Sequence, residues 1–310
     1  MTAALFVPLL MPFAAPALAR WAVPHVRPVF ALWALTVTAC ALASCWLAAL
    51  GGLVLAGALA VSALSHLGHL IHPLDVAPAV ITYPAAALAV GVLSVCACTT
   101  IRSALRQFRQ YRTAHARLRN APLAGDLSVL DRPEADAYAL PGNPGRIVVT
   151  SGMLRALDGP EREALLAHER AHLAGRHHYF LVAADLTARC HPAMGALRDA
   201  IGLTVERVAD EAAAKTVGDR GLTARAIGRA ALAGSTGGIG RPSFTAGASG
   251  GPVPQRVKAL LRPAAASRRP VVTAAGLLLA CSAATGVGAA AGLVDLHHEV
   301  EVAQGEVQDD

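Results

Sequence analysis

Four long apolar runs organise the chain. The first covers 3–19 and is interrupted by Pro8, Pro12 and Pro16. The second is uncharged from Val29 to about Ser65, the third covers 78–101, and the fourth covers 271–294. A bilayer core of about 30 Å is crossed by roughly 20 apolar helical residues, so each run is long enough to span. The second exceeds one crossing. It is either one helix over about 30–58 with an apolar overhang, or a hairpin turning at Gly51-Gly52. Between the third and fourth runs lies one sizeable polar region, 102–270, of single-domain size. Its start, "IRSALRQFRQYRTAHARLRN", reads as a continuation of the third helix. "SVLDRPEADAYALPGNPGRIVVTSG" predicts two short strands, 135–140 and 146–150, joined by a Pro/Gly turn. A helix follows, with Pro160 in its first turn and Asp158 or Gly159 as its cap. A second helix is predicted over 194–217. A Gly/Ser/Pro-rich loop then leads to "PQRVKALLRP", a short amphipathic helix ahead of the fourth run.

Charge orients these elements. Arg20 and Arg27 lie between the first two runs. The loop between the second and third has His66, His69, His72 and Asp75 but no Lys or Arg. Arg102, Arg106, Arg109, Arg112, Arg117 and Arg119 follow the third run, and Arg262, Arg268 and Arg269 precede the fourth. With four crossings every basic flank falls on one side, which the positive-inside rule makes cytoplasmic. Both termini, including an acidic tail at 295–310, are then extracytoplasmic. A hairpin in the second run would set Arg20 and Arg27 against the larger arginine cluster, so a single helix is the reading adopted. "APALAR" resembles a signal-peptidase site after Ala19, but "MTAAL" lacks a positive region, and cleavage would strand Arg20 outside.

Composition agrees. Hydrophobic residues make up 54% and charged residues 15%, which excludes an ordinary soluble enzyme. The net charge of +6 resides in the flanks of the apolar runs, so no direct nucleic-acid partner is needed to explain it. The arginine-rich helix start is also placed to meet anionic lipid. Six cysteines form no C-x-x-C pair, and five lie in apolar runs, so no disulfide framework is implied.

The candidate chemistry sits in "LLAHERAHLAGRHHYF". His168 and His172 are four apart, hence on one helical face, and both can offer an imidazole to one zinc ion. Glu169 is about 100° around the helix, within reach of a water on that ion. This suits metal-assisted hydrolysis, in which zinc lowers the water pKa toward ~7 and the glutamate takes its proton. A catalytic zinc needs a third protein ligand. "LTVERVADEAAAK" offers Glu206 and Asp210, again four apart. One can ligate while the other accepts the free N–H of a zinc-bound histidine; spacing does not choose between them. His177 and His178 fall just past the helix and are read as surface or interface residues. Tyr138, Tyr179 and Arg207 are candidate oxyanion donors. "RIVVT", if an edge strand, could hold an extended peptide by strand addition. In the fourth run, Gly288 and Gly292 have a small-xxx-small spacing suited to close helix packing.

"IVVTSGMLRALDGPEREALLAHERAHLAGRHH", followed by "VERVADEAA", resembles the zinc-peptidase domain of the BlaR/MecR-type membrane metallopeptidases, and the four-run layout is similar too. The resemblance implies His168, His172 and Glu206 as ligands of one Zn²⁺ per chain, Glu169 as general base, and Asp210 as the partner behind a ligand. It implies cleavage of a cytoplasmic repressor of winged-helix type, or self-cleavage, in signalling. The best-known members carry an extracellular penicillin-binding sensor after the fourth helix; here only the acidic tail follows Val294, so a signal would come from a sensor partner, a second copy, the spans or the short loops. The expected architecture is thus an α-helical polytopic membrane protein with about four transmembrane helices and an α+β, zincin-like (gluzincin) cytosolic metallopeptidase domain. Two rivals remain: a housekeeping membrane protease like the HtpX and CAAX-prenyl-protease group, and a non-catalytic transducer stapled by zinc.

Overall fold

The structure is a computed structural model. It describes residues 6–14, 16–17, 19–20, 27–61, 78–118, 123–234, 245 and 252–262, with scattered helical residues between 283 and 302. The loop histidines His66, His69 and His72 lie outside the described residues, as do most of the Gly/Ser/Pro-rich loop and most of the fourth apolar run.

The first apolar run is not one continuous helix. Helix α1 covers Phe6–Leu10 and gives way to a 3-10 turn, Met11–Ala14, that contains Pro12. Proline lacks the N–H that an α-helix needs, which accounts for the break. The second run forms α2, Pro28–Leu59, which passes unbroken through Gly51 and Gly52. Its 32 residues make about 48 Å of helix, so the single-helix expectation holds. The third run forms α3, Ala79–Arg117, which continues through the arginine-rich stretch as expected. At 39 residues it is about 58 Å long, well beyond a bilayer core. Where α2 and α3 cross, a Cβ on Gly57 would lie 2.3 Å from the Ala86 Cβ, so only glycine allows this approach. The Tyr83 hydroxyl donates to the Ala60 carbonyl beside it (3.2 Å).

These two helices are long and apolar enough to cross a membrane. Only 11% of the most apolar window of α3 is buried, and Val80, Leu88 and Val95 stand open at 79%, 70% and 62% exposure. A soluble protein rarely shows such a contiguous apolar face. The two helices therefore suggest membrane association.

The polar region folds as a sheet and helices. Strands β1 (Leu123–Ala124), β2 (Leu127–Leu130), β3 (Ala137–Leu140) and β4 (Arg146–Thr150) lie in the order β1-β2-β4-β3. The β3–β4 hairpin is the expected one. The strand β4 expected as a possible edge is instead interior: it pairs parallel with β2 and antiparallel with β3. The sequence of β4 explains this. "RIVVT" is an unbroken apolar run rather than an alternation, and Ile147, Val148, Val149 and Thr150 are all buried. The outer edge next to β4 belongs to β3.

Among the described residues of this region the α-helices are α4 (Ser151–Ala156), α5 (Gly159–Ala174), α6 (His177–Cys190), α7 (Gly195–Val217), α8 (Arg220–Gly234) and α9 (Val253–Leu260). A capping box starts α5. The Asp158 carboxylate accepts from the Glu161 N–H (2.9 Å), and Glu161 accepts from the Asp158 N–H (3.1 Å). Helix α5 packs on β3 and β4 and also on α7, whereas α7 makes no comparable contact with the sheet. It is therefore the middle layer, flanked by the sheet and α7.

The main apolar cluster crosses the boundary drawn at residue 102. Leu32, Leu35, Ala39, Leu42 and Ala43 of α2 pack with Ala184 of α6, Met194, and Leu197, Ile201 and Val205 of α7. The Trp33 ring meets Phe180 edge-on, and Trp46 meets His191. Helix α6 is also tied to α3: the Ser103 hydroxyl (2.5 Å) and the Gln107 amide (2.9 Å) donate to Asp185. Helices α6 and α7 of the polar region and the apolar helix α2 thus share one core.

Candidate metal centre

Helix α5 carries His168, Glu169 and His172 on its buried side, and all three are at most 3% exposed. Helix α7 presents Glu206 and Asp210 toward them, also buried. One donor atom from each of His168, His172 and Glu206 lies within 4.8 Å of the others. The two histidine Nε2 atoms are 3.0 Å apart, and the Glu206 oxygens lie 3.5 Å from His168 Nε2 and 3.9 Å from His172 Nε2. Two imidazoles and a carboxylate converging on one point form a donor set suited to zinc.

Behind these donors stand further polar side chains. His168 Nδ1 is 3.0 Å from Asp210 Oδ1. His172 Nδ1 is 2.8 Å from His177 Nδ1. His177, expected at the surface, is buried at 2% exposure. The chain folds it back through Arg176, which adopts the left-handed conformation (φ 48°). Gly175 makes the room: a Cβ there would meet the His177 ring at 2.4 Å. His178 stays half-buried, with its ring against Tyr179.

One further residue completes the cluster. Arg256, on α9, is fully buried. Its Nε donates to Asp210 Oδ2 (2.8 Å), one terminal nitrogen donates to Asp210 Oδ1 (2.6 Å), and the other lies 2.9 Å from Glu206 Oε2. Read from the sequence, α9 was only a short amphipathic helix. The overlooked signal is an arginine on its apolar face, one turn before the buried Leu260.

Electrostatics follow from this packing. Burial opposes charge on His168, but Asp210 and Glu206 outweigh it and raise its pKa to about 9. Burial likewise opposes charge on Glu206, yet Arg256 and the histidines hold it at about 2. Asp210 is held low against its burial by Arg256 and His168. His177 is lowered to about 4, chiefly by burial. His168 Nδ1 thus lies against the Asp210 carboxylate, and the His172 Nδ1 against the His177 ring.

The charge count agrees with a divalent ion. When ionised, Glu169, Glu206 and Asp210 carry three negative charges against the one positive charge of Arg256, an excess that a divalent cation neutralises. Metal uptake at pH 7 should therefore release about one proton, and affinity should rise as pH climbs toward 9 and then level off. Calorimetry in buffers of different ionisation enthalpy measures the release. A proton count near zero at pH 7 would contradict this protonation scheme.

The candidate oxyanion donors are scattered. Tyr179 is 62% exposed. Tyr138 packs with Ala114, Leu118, Leu140 and Val148 beside the sheet. Arg207 is partly buried, under the charges of Glu211 and Asp210.

No curated protein and no solved structure matches the chain. Residues 106–202, about a third of the chain, match the model of peptidase family M48. The match takes in the sheet, α5, α6 and the start of α7, and ends just before Glu206. Peptidases of that family are typically zinc-dependent, so the match and the His168–His172–Glu206 cluster together support a metallopeptidase.

Proposed function

We propose that the chain is a membrane-associated, zinc-dependent endopeptidase. The observation that carries this reading is the convergence of His168, His172 and Glu206 on one buried point, with Glu169 beside it on the same helix. A zinc ion held there would supply Lewis acidity toward the scissile carbonyl and lower the pKa of water. Asp210 and His177 keep the two imidazoles turned inward. Glu169 takes the proton of the attacking water and passes it to the leaving nitrogen. An extended substrate segment would pair with the outer edge of β3, the strand that packs on α5 and that, among the described residues, has a strand partner on one side only.

The arginines of α3 favour a cytoplasmic peptidase region. Arg102, Arg106, Arg109, Arg112 and Arg117 are all exposed below its apolar stretch. The resemblance to BlaR/MecR-type proteins extends the proposal to signalling by cleavage of a cytoplasmic repressor or of the chain itself. The test is to identify the proteins cut in cells by the wild type and not by Glu169→Gln. A cleaved transcriptional repressor or a self-cleavage product supports signalling. A broad set of damaged membrane proteins would favour housekeeping, and no difference between the two strains would favour a non-catalytic transducer.

A further inference from the structure

Arg256 is a buried guanidinium hydrogen-bonded into the cluster, and it contacts two carboxylates with different tasks. Its fork takes both oxygens of Asp210, and its remaining nitrogen faces Glu206 Oε2. Asp210 Oδ1 in turn faces His168 Nδ1. One planar group therefore touches the Glu206 carboxylate directly and the His168 ring through Asp210. We infer that Arg256 is a positioning residue for the metal site, holding Glu206 and His168 in register with His172. The inference rests on the proposed metal-binding function.

Two roles need separating. Arg256 could serve only as a buried positive charge that offsets Asp210 and Glu206. In that case any cation of similar reach would do. The geometry asks for more: two nitrogens of one plane donate to both oxygens of Asp210 while the third lies 2.9 Å from Glu206 Oε2. The compact ammonium of lysine cannot reproduce this fork. The helix that carries Arg256 is also anchored independently of it. Leu260, with Val253 and Val257, packs on Ala214, Ala224 and Ile227. Arg220 donates to the Leu260 and Ala259 carbonyls (2.9 and 3.2 Å) and pairs with Glu211. A change at Arg256 that keeps the charge thus leaves α9 its other attachments.

Arg256→Lys is the discriminating variant, made in the full chain in detergent and stripped of metal. Thermal unfolding without metal reports on the fold. Zinc affinity is measured by competition with a chelating dye, and cobalt(II) titration reports the ligand geometry in its visible spectrum. Arg256→Lys should unfold near the wild-type temperature, bind zinc about 10–100-fold more weakly, and show an altered cobalt spectrum. Should it fail to fold, Asp210→Asn/Arg256→Gln removes both charges together and should show the same loss. Wild-type affinity and spectrum in a folded variant would overturn the inference while leaving the metal site intact. Absence of zinc and cobalt binding in the wild type would overturn the proposed function as well.

Discussion

Glu169→Gln is expected to lower peptide-bond hydrolysis by about 10²–10⁴-fold, the usual contribution of a positioned general base, while zinc binding is retained. Glutamine has nearly the same shape but cannot take a proton. The three converging donors belong to His168, His172 and Glu206, so none of them is removed. The substitution also removes one buried negative charge near Arg256. A modest change in metal affinity is consistent with this; loss of the metal is not. Paired assays of zinc content and cleavage on the same preparation check the point. Equal cleavage by the wild type and the variant would show that Glu169 is not the base.

A second large effect is expected from separating the peptidase-like region from α2. A chain restricted to residues 102–270 should fail to fold cooperatively. Met194, Leu197, Ile201 and Val205 are each 0% exposed and share their cluster with five residues of α2. Burying side chains of this size contributes about 1.5–3 kcal/mol each. Losing half of that burial for four of them costs roughly 3–6 kcal/mol, a large part of a typical total stability of about 5–15 kcal/mol. In the full chain, Leu35→Ala should cost about 2–5 kcal/mol at the same seam. The truncated chain should aggregate or melt without a sharp transition. A soluble fragment with a cooperative transition that also bound zinc would refute the shared core.

What the sequence disclosed was local. His168 with His172, and Glu206 with Asp210, are each four apart, and helical periodicity alone places each pair on one face. A cap at Asp158 or Gly159 and the extension of α3 to Arg117 were readable in the same way, whereas composition and spacing left a hairpin at Gly51-Gly52 open and only the distribution of arginines favoured the single helix. What was hidden depends on separation along the chain or on one dihedral angle. Arg256 reaches Asp210 across 46 residues, most of them in α8 and the following loop, and no period links the two. His177 is turned inward by the left-handed Arg176, which nothing in "GRHH" announces. Strand β1, of two residues, is too short to show a pattern, and β2 lies ahead of the Pro/Gly turn that marks the β3–β4 hairpin. Their place beside β4 is fixed by pairing that the unbroken apolar run of "RIVVT" only hints at. Helix α6 is not among the predicted elements, because only Gly175 and Arg176 separate it from α5.

The convergence of three donors from two helices on one divalent ion is tested most directly by zinc K-edge X-ray absorption on the purified full chain, wild type beside Glu206→Ala. One zinc per wild-type chain is predicted, with nitrogen and oxygen neighbours at about 2.0–2.2 Å and no sulfur. The first shell should be lost or rearranged in Glu206→Ala. A wild type without zinc, a sulfur-ligated ion at about 2.3 Å, or an unchanged spectrum in Glu206→Ala would contradict the account.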